Sequence, residues 1–481
     1  MNIRSIALFA LAVLLASPLQ AHSGKPRHHV VIDTDGALDD MRALSMLLAG
    51  NEIRVLAITC SPGTLPAERT AQKVRSLLSD FHHEGIPVGI TTHTNHAPPP
   101  WSNVAAGFGW GRNEGYPGKP ALPLSSGLLE KTTAGYDDSL TLVALGSLKT
   151  YADWFKDHPD AVNRVKKILW YNDHTVEEGF NYQASPESYR QIAGSGIPLE
   201  IIFNDNPELR WDERYLEHLA GVKSRYGRQI HRLFSEAGLK EQVRSRKLWD
   251  DLAGLYLAVP ILFNREGEGN LTRIALNPMI PRDFIYETIA TLLESSVTTN
   301  NRVFREFPTD KRLYKEAYAA ILDTTLTRYG PEEWKAVSLT NEIHGHTGIY
   351  SIIGAKMGIR AMEYFNVGVN NMTVRSYAGS DPPLSCLNDG VQISTGSTPG
   401  QVLLAISDTT LTQPTVIFTF NGRSAKVTLD QAIADRLRED IRYGVEEFGL
   451  LTDTYWRYIE ELGIDYWARL DRNRVFRIEE L

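Results

Sequence analysis

The chain has 481 residues, of which 42% are hydrophobic and 22% are charged, and its formal net charge is -8. A chain of this length can bury a large core and is expected to divide into two domains. The acidic balance, together with a sequence that shows no basic run, argues against a protein that binds nucleic acid.

The first 21 residues have the features of a secretory signal peptide. Arg4 precedes the apolar run IALFALAVLLA, and the small residue Ala21 stands at the expected cleavage site. The apolar run is too short for a comfortable membrane span, although an uncleaved anchor is the alternative interpretation. We therefore expect cleavage of residues 1–21, a periplasmic or secreted protein, and no membrane association after cleavage.

Short β-branched runs alternate with helical patterns in the first half of the chain. Strands are predicted by HVVIDTD, IRVLAITCS, IPVGIT, SLTLVALG, VKKILWYN and IPLEIIFND, and an amphipathic helix closed by Gly50 is predicted by DDMRALSMLLAG. This alternation predicts an α/β fold with a mostly parallel sheet and helices on both faces. Ligands of such sheets bind at the carboxyl ends of the strands. We assign residues 28–315 to this domain.

The sequence pattern changes after about residue 328. The segment EIHGHTGIYSIIGAKMGIRAMEYF predicts a loop running into a helix, PTVIFTFNGRSAKVTL is β-like, and the tail from Asp430 predicts two amphipathic helices. These elements predict a smaller α+β domain at residues 328–481, with the domain boundary between residues 305 and 330.

Four aspartates, Asp33, Asp35, Asp39 and Asp40, lie at the end of the first predicted strand, in DTDGALDD. Four carboxylates at such short range cannot all ionise without a counter-cation, which predicts a hard divalent ion. Calcium suits oxygen ligands in an exported protein. Acids at a helix N-terminus can also merely complement the helix dipole, but this alternative leaves Asp33 and Asp35 on the strand unexplained.

Three known kinds of loop resemble this aspartate motif to different degrees. An EF-hand calcium loop would need a ligand and a glycine where Ala37 and Leu38 stand. DTDGAL is similar to the strand-end loop of haloacid dehalogenase phosphatases, but no later loop supplies the paired acidic metal ligands of that family. The motif also resembles the DxDxxxDD signature of nucleoside hydrolases, and this resemblance extends through roughly 280 residues.

Further motifs carry the resemblance in the order that the nucleoside hydrolase family has them. LVALGSLKTYADWFKDHP is similar to a strand followed by GPLTNxA, EEGFNYQASPESYRQIAGSGIPLEII to AEFN...DPEAA...SGxPI, and KLWDDLAGLYLAVP to HDPLAV. VLAITCSPGTLPAERTAQKVRSLL is similar to the family's second strand and turn. The chain departs from the family's residues at Thr64, Gly179, Ser185 and Trp249.

The resemblance implies a calcium-dependent hydrolase of the N-glycosidic bond in ribonucleosides or related N-ribosides. Asp35 would take the proton of the attacking water, and Asp33 would support the site. A small-molecule riboside is the expected partner, and a homo-oligomer is a further expectation because family members are commonly oligomeric. The implied calcium ligands are Asp35, Asp40, Asp250 and the carbonyl of Leu145, and the implied ribose ligands are Asp39 and Asn181.

Trp249 stands where many family members carry the histidine that protonates the leaving base. An indole cannot donate a proton at useful pH, so another group protonates the base, an aromatic ring stacks on it, or it already carries positive charge, as in nicotinamide riboside. Trp249 is thus a candidate substrate-binding residue, and a buried core aromatic is the alternative. The departures also leave open a periplasmic protein that binds or senses a riboside without cleaving it.

The segments HGHTGIYSIIGAKMGIRA and YAGSDPPLSCLNDGVQISTGSTPGQ together resemble the E-type domain of formylmethanofuran dehydrogenase. His344, His346 and Cys386 suit zinc, with Asp389, another residue or water at a fourth position. Ordinary hydrogen-bonded histidines in a glycine-flanked loop are the alternative. Cys386 and Cys60 are the two cysteines of the chain, which predicts free or metal-binding thiols rather than a disulfide framework.

Overall fold

The structure is a computed structural model, and the residues that it describes are 28–92, 97–112, 121–235, 247–294 and 303–481. The predicted signal peptide, residues 1–21, lies outside the described residues. The described part of the chain forms two compact units, of which the first ends at residue 294 and the second begins at residue 303. Among the helices that the structure describes, none is both long and apolar enough to cross a membrane.

The first unit is built on a mostly parallel sheet. Its strands are β1 (His28–Thr34), β2 (Ile53–Cys60), β3 (Val88–Ile90), β4 (Leu140–Ala144), β5 (Val165–Tyr171), β6 (Leu199–Phe203), β7 (Phe263–Glu268) and β8 (Leu271–Leu276). Within the described residues these eight strands form one sheet in the order β3-β2-β1-β4-β5-β6-β8-β7. Only the edge strand β7 is antiparallel to its neighbour in this described sheet. The six strands predicted from apolar runs are confirmed as β1 to β6.

Helices cover both faces of this sheet. Val30 and Ile32 of β1 pack in one apolar cluster, whereas Val31 between them packs in another. Because successive strand residues point to opposite faces, the two clusters lie on opposite sides of the sheet. The predicted α/β fold is therefore confirmed. The helices of the first unit are α1 (Leu38–Ala49), α2 (Ala67–Asp80), α3 (Ser102–Gly107), α4 (Ser125–Thr132), α5 (Lys149–Asp157), α6 (Phe180–Ala184), α7 (Pro186–Ala193), α8 (Glu213–Ala220), α9 (Arg225–Ser235), α10 (Asp251–Ala258) and α11 (Arg282–Glu294).

Helix α1 is buried along its whole length, although its sequence contains charged residues. Asp39, Asp40 and Arg42 all lie on it and are all buried. The helix ends where Gly50 donates its backbone N–H to the carbonyl of Met46 at 3.1 Å, as the sequence predicts. Charged groups inside a protein must be paired or must coordinate an ion, so α1 requires partners from other elements.

The second unit combines a small sheet with helices, as predicted. Its strands are β9 (Thr373–Ser376), β10 (Leu404–Ile406), β11 (Thr415–Phe420), β12 (Arg423–Leu429) and β13 (Phe476–Glu480), and within the described residues they form one sheet in the order β10-β9-β11-β12-β13. The β-like segment forms the antiparallel pair β11 and β12. Its helices are α12 (Glu316–Tyr329), α13 (Pro331–His344), α14 (Ile349–Phe365), α15 (Leu387–Thr395), α16 (Gln431–Phe448) and α17 (Asp453–Arg469), of which the last two are the helices predicted for the tail.

Residues 303–315, which the sequence analysis assigned to the first domain, lie in the second unit. Their aromatic side chains account for this position. Phe307 and Tyr314 pack against the apolar cluster that contains Trp334, and the indole N–H of Trp334 donates to the hydroxyl of Tyr314 at 3.0 Å.

Candidate active site

Three acidic side chains meet at the carboxyl edge of the parallel sheet. β1 ends at Thr34, and α1 carries Asp39 and Asp40 in its first turn. Asp250 immediately precedes α10, near the other end of the first unit. One carboxylate oxygen from each of Asp39, Asp40 and Asp250 lies within 4.8 Å of the other two. The structure thus brings Asp250 to the N-terminal acids, as the resemblance implies.

The charges of this group are poorly compensated by the protein. Burial raises the pKa of Asp40 and of Asp250 well above the ordinary range, and the neighbouring carboxylates raise both further. Asp40 Oδ1 accepts hydrogen bonds from the Thr34 hydroxyl and from the Asp35 backbone N–H. Among the described residues, Asp40 Oδ2 and Asp250 Oδ1 are buried oxygens without a hydrogen-bond donor. Buried carboxylate oxygens that lack donors fit a hard divalent cation.

Asp35 lies beside this group but is not a member of it. Its carboxylate accepts the backbone N–H of Ala37 at 3.3 Å and that of Thr64 at 3.1 Å. Burial raises its pKa to about 7, and the charge of Asp39 adds to this effect. A Cβ added at Gly63 would lie 2.3 Å from Asp35 Oδ2, and one added at Gly146 would lie 2.8 Å from Asp35 Cβ. The two glycines therefore leave the room that the Asp35 side chain occupies.

Asp33 is surrounded by hydroxyl donors. Its Oδ1 accepts from Thr59 at 2.7 Å and from Thr150 at 2.6 Å, and its Oδ2 accepts from Ser61 at 2.6 Å. Burial nevertheless raises its pKa to about 7. With both oxygens occupied by donors, Asp33 can fix the end of β1 and supports the site from below, which is the role predicted for it.

The implied metal ligand Leu145 and the implied ribose ligand Asn181 contact each other. The side-chain amide nitrogen of Asn181 donates to the Leu145 carbonyl at 2.8 Å and to the Tyr171 carbonyl at 3.0 Å. A carbonyl oxygen has two lone pairs, so Leu145 can accept this bond and still face a cation. Since its amide nitrogen is engaged, Asn181 can offer its amide oxygen to a sugar hydroxyl.

Trp249, the implied substrate-binding residue, is half-buried. Its ring packs against the main apolar cluster of the first unit. The residue before it is fixed by two bonds, because the Leu248 carbonyl accepts from the Asn204 side chain at 2.6 Å and its N–H donates to Leu209 at 3.0 Å. Partial burial fits both interpretations of Trp249, a packing residue and a ring that faces substrate.

Two aromatic residues that the sequence analysis did not single out border the Asp35 side of the site. The indole N–H of Trp101 donates to the Thr64 hydroxyl at 3.3 Å, and Thr64 in turn binds Asp35. The Trp101 ring lies edge-on to Phe180, with centroids 5.3 Å apart, and Phe180 precedes Asn181. Both rings are half-buried, so they could contact a flat base. No local periodicity marks Trp101, which follows three prolines.

Two other departures from the family motif have local structural partners. A Cβ added at Gly179 would lie 2.0 Å from the Asn172 side-chain oxygen, so no larger residue fits there without rearrangement. The Ser185 hydroxyl lies 2.7 Å from that of Ser188 in the first turn of α7.

A buried ion pair adjoins the acidic group and also escaped the sequence analysis. Arg42 binds Asp251 through two hydrogen bonds of 2.8 Å each. Arg42 follows Asp39 and Asp40 on α1, and Asp251 follows Asp250. An arginine within the apolar helix MRALSMLLA is the signal that could have revealed a buried partner.

In the second unit, the structure pairs His344 with Asp389 rather than with a metal-ligand triad. His344 Nδ1 lies 2.7 Å from Asp389 Oδ2, and His344 Nε2 is buried without a partner among the described residues. The rings of His344 and His346 are 4.3 Å apart, and His346 also contacts Trp456. Within the part of the chain that the structure describes, the only group of three metal-ligating side chains within 4.8 Å is that of the first unit. His344, His346 and Cys386 are therefore not drawn together as zinc ligands.

Cys386 lies just before α15 and is half-buried. Burial raises the pKa of its thiol, and the nearby Asp389 raises it further. Cys60, at the end of β2, is buried. Both cysteines are free, as the sequence predicts.

The chain matches two family models. One, described as inosine-uridine preferring nucleoside hydrolase, matches residues 30–311, which is more than half of the chain. The other, described as FmdE, molybdenum formylmethanofuran dehydrogenase operon, matches residues 343–448. The two matches fall in the two regions where the sequence motifs resemble these families.

Individual relatives are more distant. The pyrimidine-specific ribonucleoside hydrolase RihA of Escherichia coli O81 (strain ED1a) is 26% identical over 185 residues, which cover 35% of this chain and 58% of RihA. The chain thus matches less than two thirds of the length of that relative. The non-specific ribonucleoside hydrolase RihC of Salmonella paratyphi A (strain ATCC 9150 / SARB42) is 24% identical over 251 residues, covering 49% of this chain and 80% of RihC. Among solved structures, the purine-preferring ribonucleoside hydrolase from Gardnerella vaginalis has a TM-score of 0.46 and 16% sequence identity, covering 55% of this chain and 99% of that chain.

Proposed function

Because this chain belongs to the inosine-uridine preferring nucleoside hydrolase family, we propose that its first unit hydrolyses the N-glycosidic bond of ribonucleosides or related N-ribosides. The observation that carries the proposal is the convergence of Asp39, Asp40 and Asp250 at the carboxyl edge of the sheet. The names of RihA and RihC, both ribonucleoside hydrolases, support the same reaction. Membership of this family also favours a hydrolase over a haloacid dehalogenase phosphatase.

Calcium is the proposed metal. Asp40 and Asp250 would hold it through the buried oxygens that lack donors, joined by Asp39 or Asp35 and by the Leu145 carbonyl. An all-oxygen ligand set suits calcium better than a softer ion. When bound, a divalent cation lowers the pKa of a coordinated water and offsets the carboxylate charges.

The protein's own groups would then handle the proton and the sugar. Asp35 is held by the N–H groups of Ala37 and Thr64, and its carboxylate would accept the proton of the attacking water. The Asn181 amide oxygen and Asp39 would bind ribose hydroxyls. Such bonds accelerate the reaction if they strengthen as the ring approaches an oxocarbenium ion.

The leaving base must depart without a proton from residue 249, because Trp249 has no acidic proton. We propose that the preferred leaving group carries positive charge, with nicotinamide riboside as the test compound. Ribose release from inosine, uridine and nicotinamide riboside by the purified protein tests this. Equal rates for all three would remove the proposed preference, whereas loss of all release in Asp35→Asn supports the hydrolase itself.

A riboside-binding protein without turnover is the second candidate function. It is favoured by the departures on the base side of the site, of which Trp249 in place of histidine is the main one. Isothermal titration with inosine separates the two functions. Saturable binding without ribose release in the presence of calcium would support the binding protein.

Export and the role of the second unit are further parts of the proposal. We propose that residues 1–21 direct export and are removed, which N-terminal sequencing of the mature protein tests. We also propose that the second unit binds zinc, with His344 as one ligand, since His344 Nε2 is buried without a described partner and Asp389 fixes the opposite ring nitrogen. A homo-oligomer is proposed as the assembled state, and its mass can be measured by light scattering.

A further inference from the structure

Arg42 and Asp251 form a buried ion pair outside the acidic group. Arg42 Nε donates to Asp251 Oδ1 and Arg42 Nη2 to Asp251 Oδ2, both at 2.8 Å. The Arg42 side chain is 3% exposed and that of Asp251 is 0% exposed. Two parallel bonds between planar groups fix orientation as well as distance.

The pair joins the two helices that supply the acidic group. Arg42 lies on α1, two residues after Asp40, and Asp251 is the first residue of α10, directly after Asp250. The motif that this segment resembles has proline where Asp251 stands. Proline at the first position of a helix fixes the local backbone, so its replacement by a charged residue requires another means of fixing the start of α10.

Aromatic rings enclose the guanidinium of Arg42. Its Cζ lies 4.3 Å from the ring centroid of Trp211 and 5.4 Å from that of Phe234. These two rings are themselves in contact, with centroids 3.9 Å apart. Packing on an aromatic surface restricts the arginine to one geometry and excludes water from the pair.

The acidic group needs such a restraint. Asp40 and Asp250 are buried carboxylates that repel each other, and this repulsion tends to separate the first turns of α1 and α10 when no cation lies between them. A rigid attractive bond one or two residues further along the same two elements opposes that separation.

We propose that the Arg42–Asp251 ion pair is a positioning device that holds Asp40 and Asp250 at cation-binding distance before the metal arrives. The inference rests on the proposed function, because it concerns the same calcium site. Neither residue touches the reacting atoms, so both act through the placement of Asp40 and Asp250.

The test compares calcium binding with stability in the full-length protein after removal of metal. The variants are Arg42→Met, Asp251→Asn, the double variant, and Arg42→Lys, which keeps the charge but loses the planar fork. The double variant leaves the net charge unchanged and leaves no buried charge unpaired, so it is expected to fold even where the single variants do not. Asp153→Asn, which breaks the exposed pair of Lys149 with Asp153, is the matched control.

Calorimetric titration with calcium chloride gives Kd, and thermal melting without calcium gives Tm. We expect the double variant to fold and to bind calcium about 10- to 100-fold more weakly than the wild type, with a smaller loss in Arg42→Lys and none in the control. An unchanged Kd in a folded double variant overturns the positioning role alone and leaves the proposed function standing. A wild-type protein that binds no calcium overturns the proposed metal site and this inference with it.

Discussion

Asp40 and Asp250 come from elements far apart in the sequence, yet their carboxylates lie within 4.8 Å of each other and each has one buried oxygen without a described donor. Two such groups destabilise the folded protein when both are ionised, unless a cation lies between them. Stability, pH and metal binding should therefore be linked in the first unit.

The first prediction follows from this repulsion. Asp250→Asn removes one of the buried charges while it keeps the shape of the side chain. We expect the metal-free variant to melt a few °C higher than the metal-free wild type, because a change of about 1 kcal/mol moves Tm by about 2–4 °C in a unit of this size. We also expect calcium to raise the Tm of the wild type but not of the variant. Differential scanning calorimetry with and without calcium measures both effects.

The control for Asp250→Asn is Asp157→Asn, which changes an exposed aspartate at the end of α5. It should leave both the metal-free Tm and the calcium-induced rise as in the wild type. A metal-free Asp250→Asn protein that melts well below the wild type would contradict the view that the carboxylates oppose each other.

The second prediction concerns pH. Burial raises the pKa of Asp33 and of Asp35 to about 7 in the folded metal-free protein, against about 3.8 for the free side chain. The folded state thus binds more protons than the unfolded chain between these values. The resulting stabilisation is fully present below about pH 3.8 and is lost as the pH rises through about 7. We expect the Tm of metal-free protein to fall from pH 5 to pH 8.

Calcium should change the sign or remove the slope of this pH dependence. A bound cation favours the ionised carboxylates, so saturating calcium should stabilise the protein more at pH 8 than at pH 5. Melting curves at both pH values, with chelator or with excess calcium, give the four values needed. The same slope with and without calcium would show that these acids do not face the cation.

The sequence predicted the fold where local patterns decide it. The strands β1 to β6 are short apolar runs, which bury both faces and are legible without their neighbours. The hairpin of β7 and β8 was missed because FNREGE is a polar edge strand, which a hydrophobic pattern does not mark. The position of residues 303–315 depends on contacts of Phe307 and Tyr314 with distant residues, which no local pattern contains.

The candidate site was legible to a similar degree. The N-terminal aspartates form one short motif, whereas Asp250 was found only through resemblance to a family motif. Spacing in the sequence could not show that the paired partner of Arg42 is Asp251, since this contact spans two helices. In the second unit, His344 ends α13 and Gly345 then adopts a left-handed φ of 81°, which a pattern of two histidines does not reveal.

The third prediction separates the roles of Asp35 and Asp40. Asp35 lies outside the group of three carboxylates, and Asp40 lies within it. We expect Asp35→Asn to lower kcat about 100- to 10,000-fold, as for loss of a general base, with a modest change in calcium Kd. Asp40→Asn should instead weaken calcium binding first. Ribose release and calorimetric titration measured on both variants give the comparison, and the opposite ranking of the two Kd values would exchange the roles.

The fourth prediction concerns the missing proton donor. Trp249→His restores an imidazole beside Asp250 at the position where the family motif has one. We expect kcat/KM for inosine to rise at least about tenfold, since a positioned proton donor contributes about 100- to 10,000-fold. The rate for nicotinamide riboside should rise less, because its leaving group needs no proton. Trp249→Phe is the control, and equal gains for both substrates would speak against a protonation defect in the wild type.

The last prediction addresses the second unit, where Asp389 contacts His344 Nδ1 and His344 Nε2 is buried without a described partner. If His344 binds zinc through Nε2, Asp389 sets the ring orientation and the tautomer without being a ligand itself. His344→Gln should then remove zinc from the purified full-length protein, whereas Asp389→Asn should weaken zinc binding about 10- to 100-fold and leave the site able to fill at high zinc. Metal content by mass spectrometry and competition with a zinc chelator measure both. Asp381→Asn, an exposed change in the same unit, serves as the control. Wild-type protein that holds no zinc under these conditions would assign the His344–Asp389 contact to ordinary packing of α13 against α15.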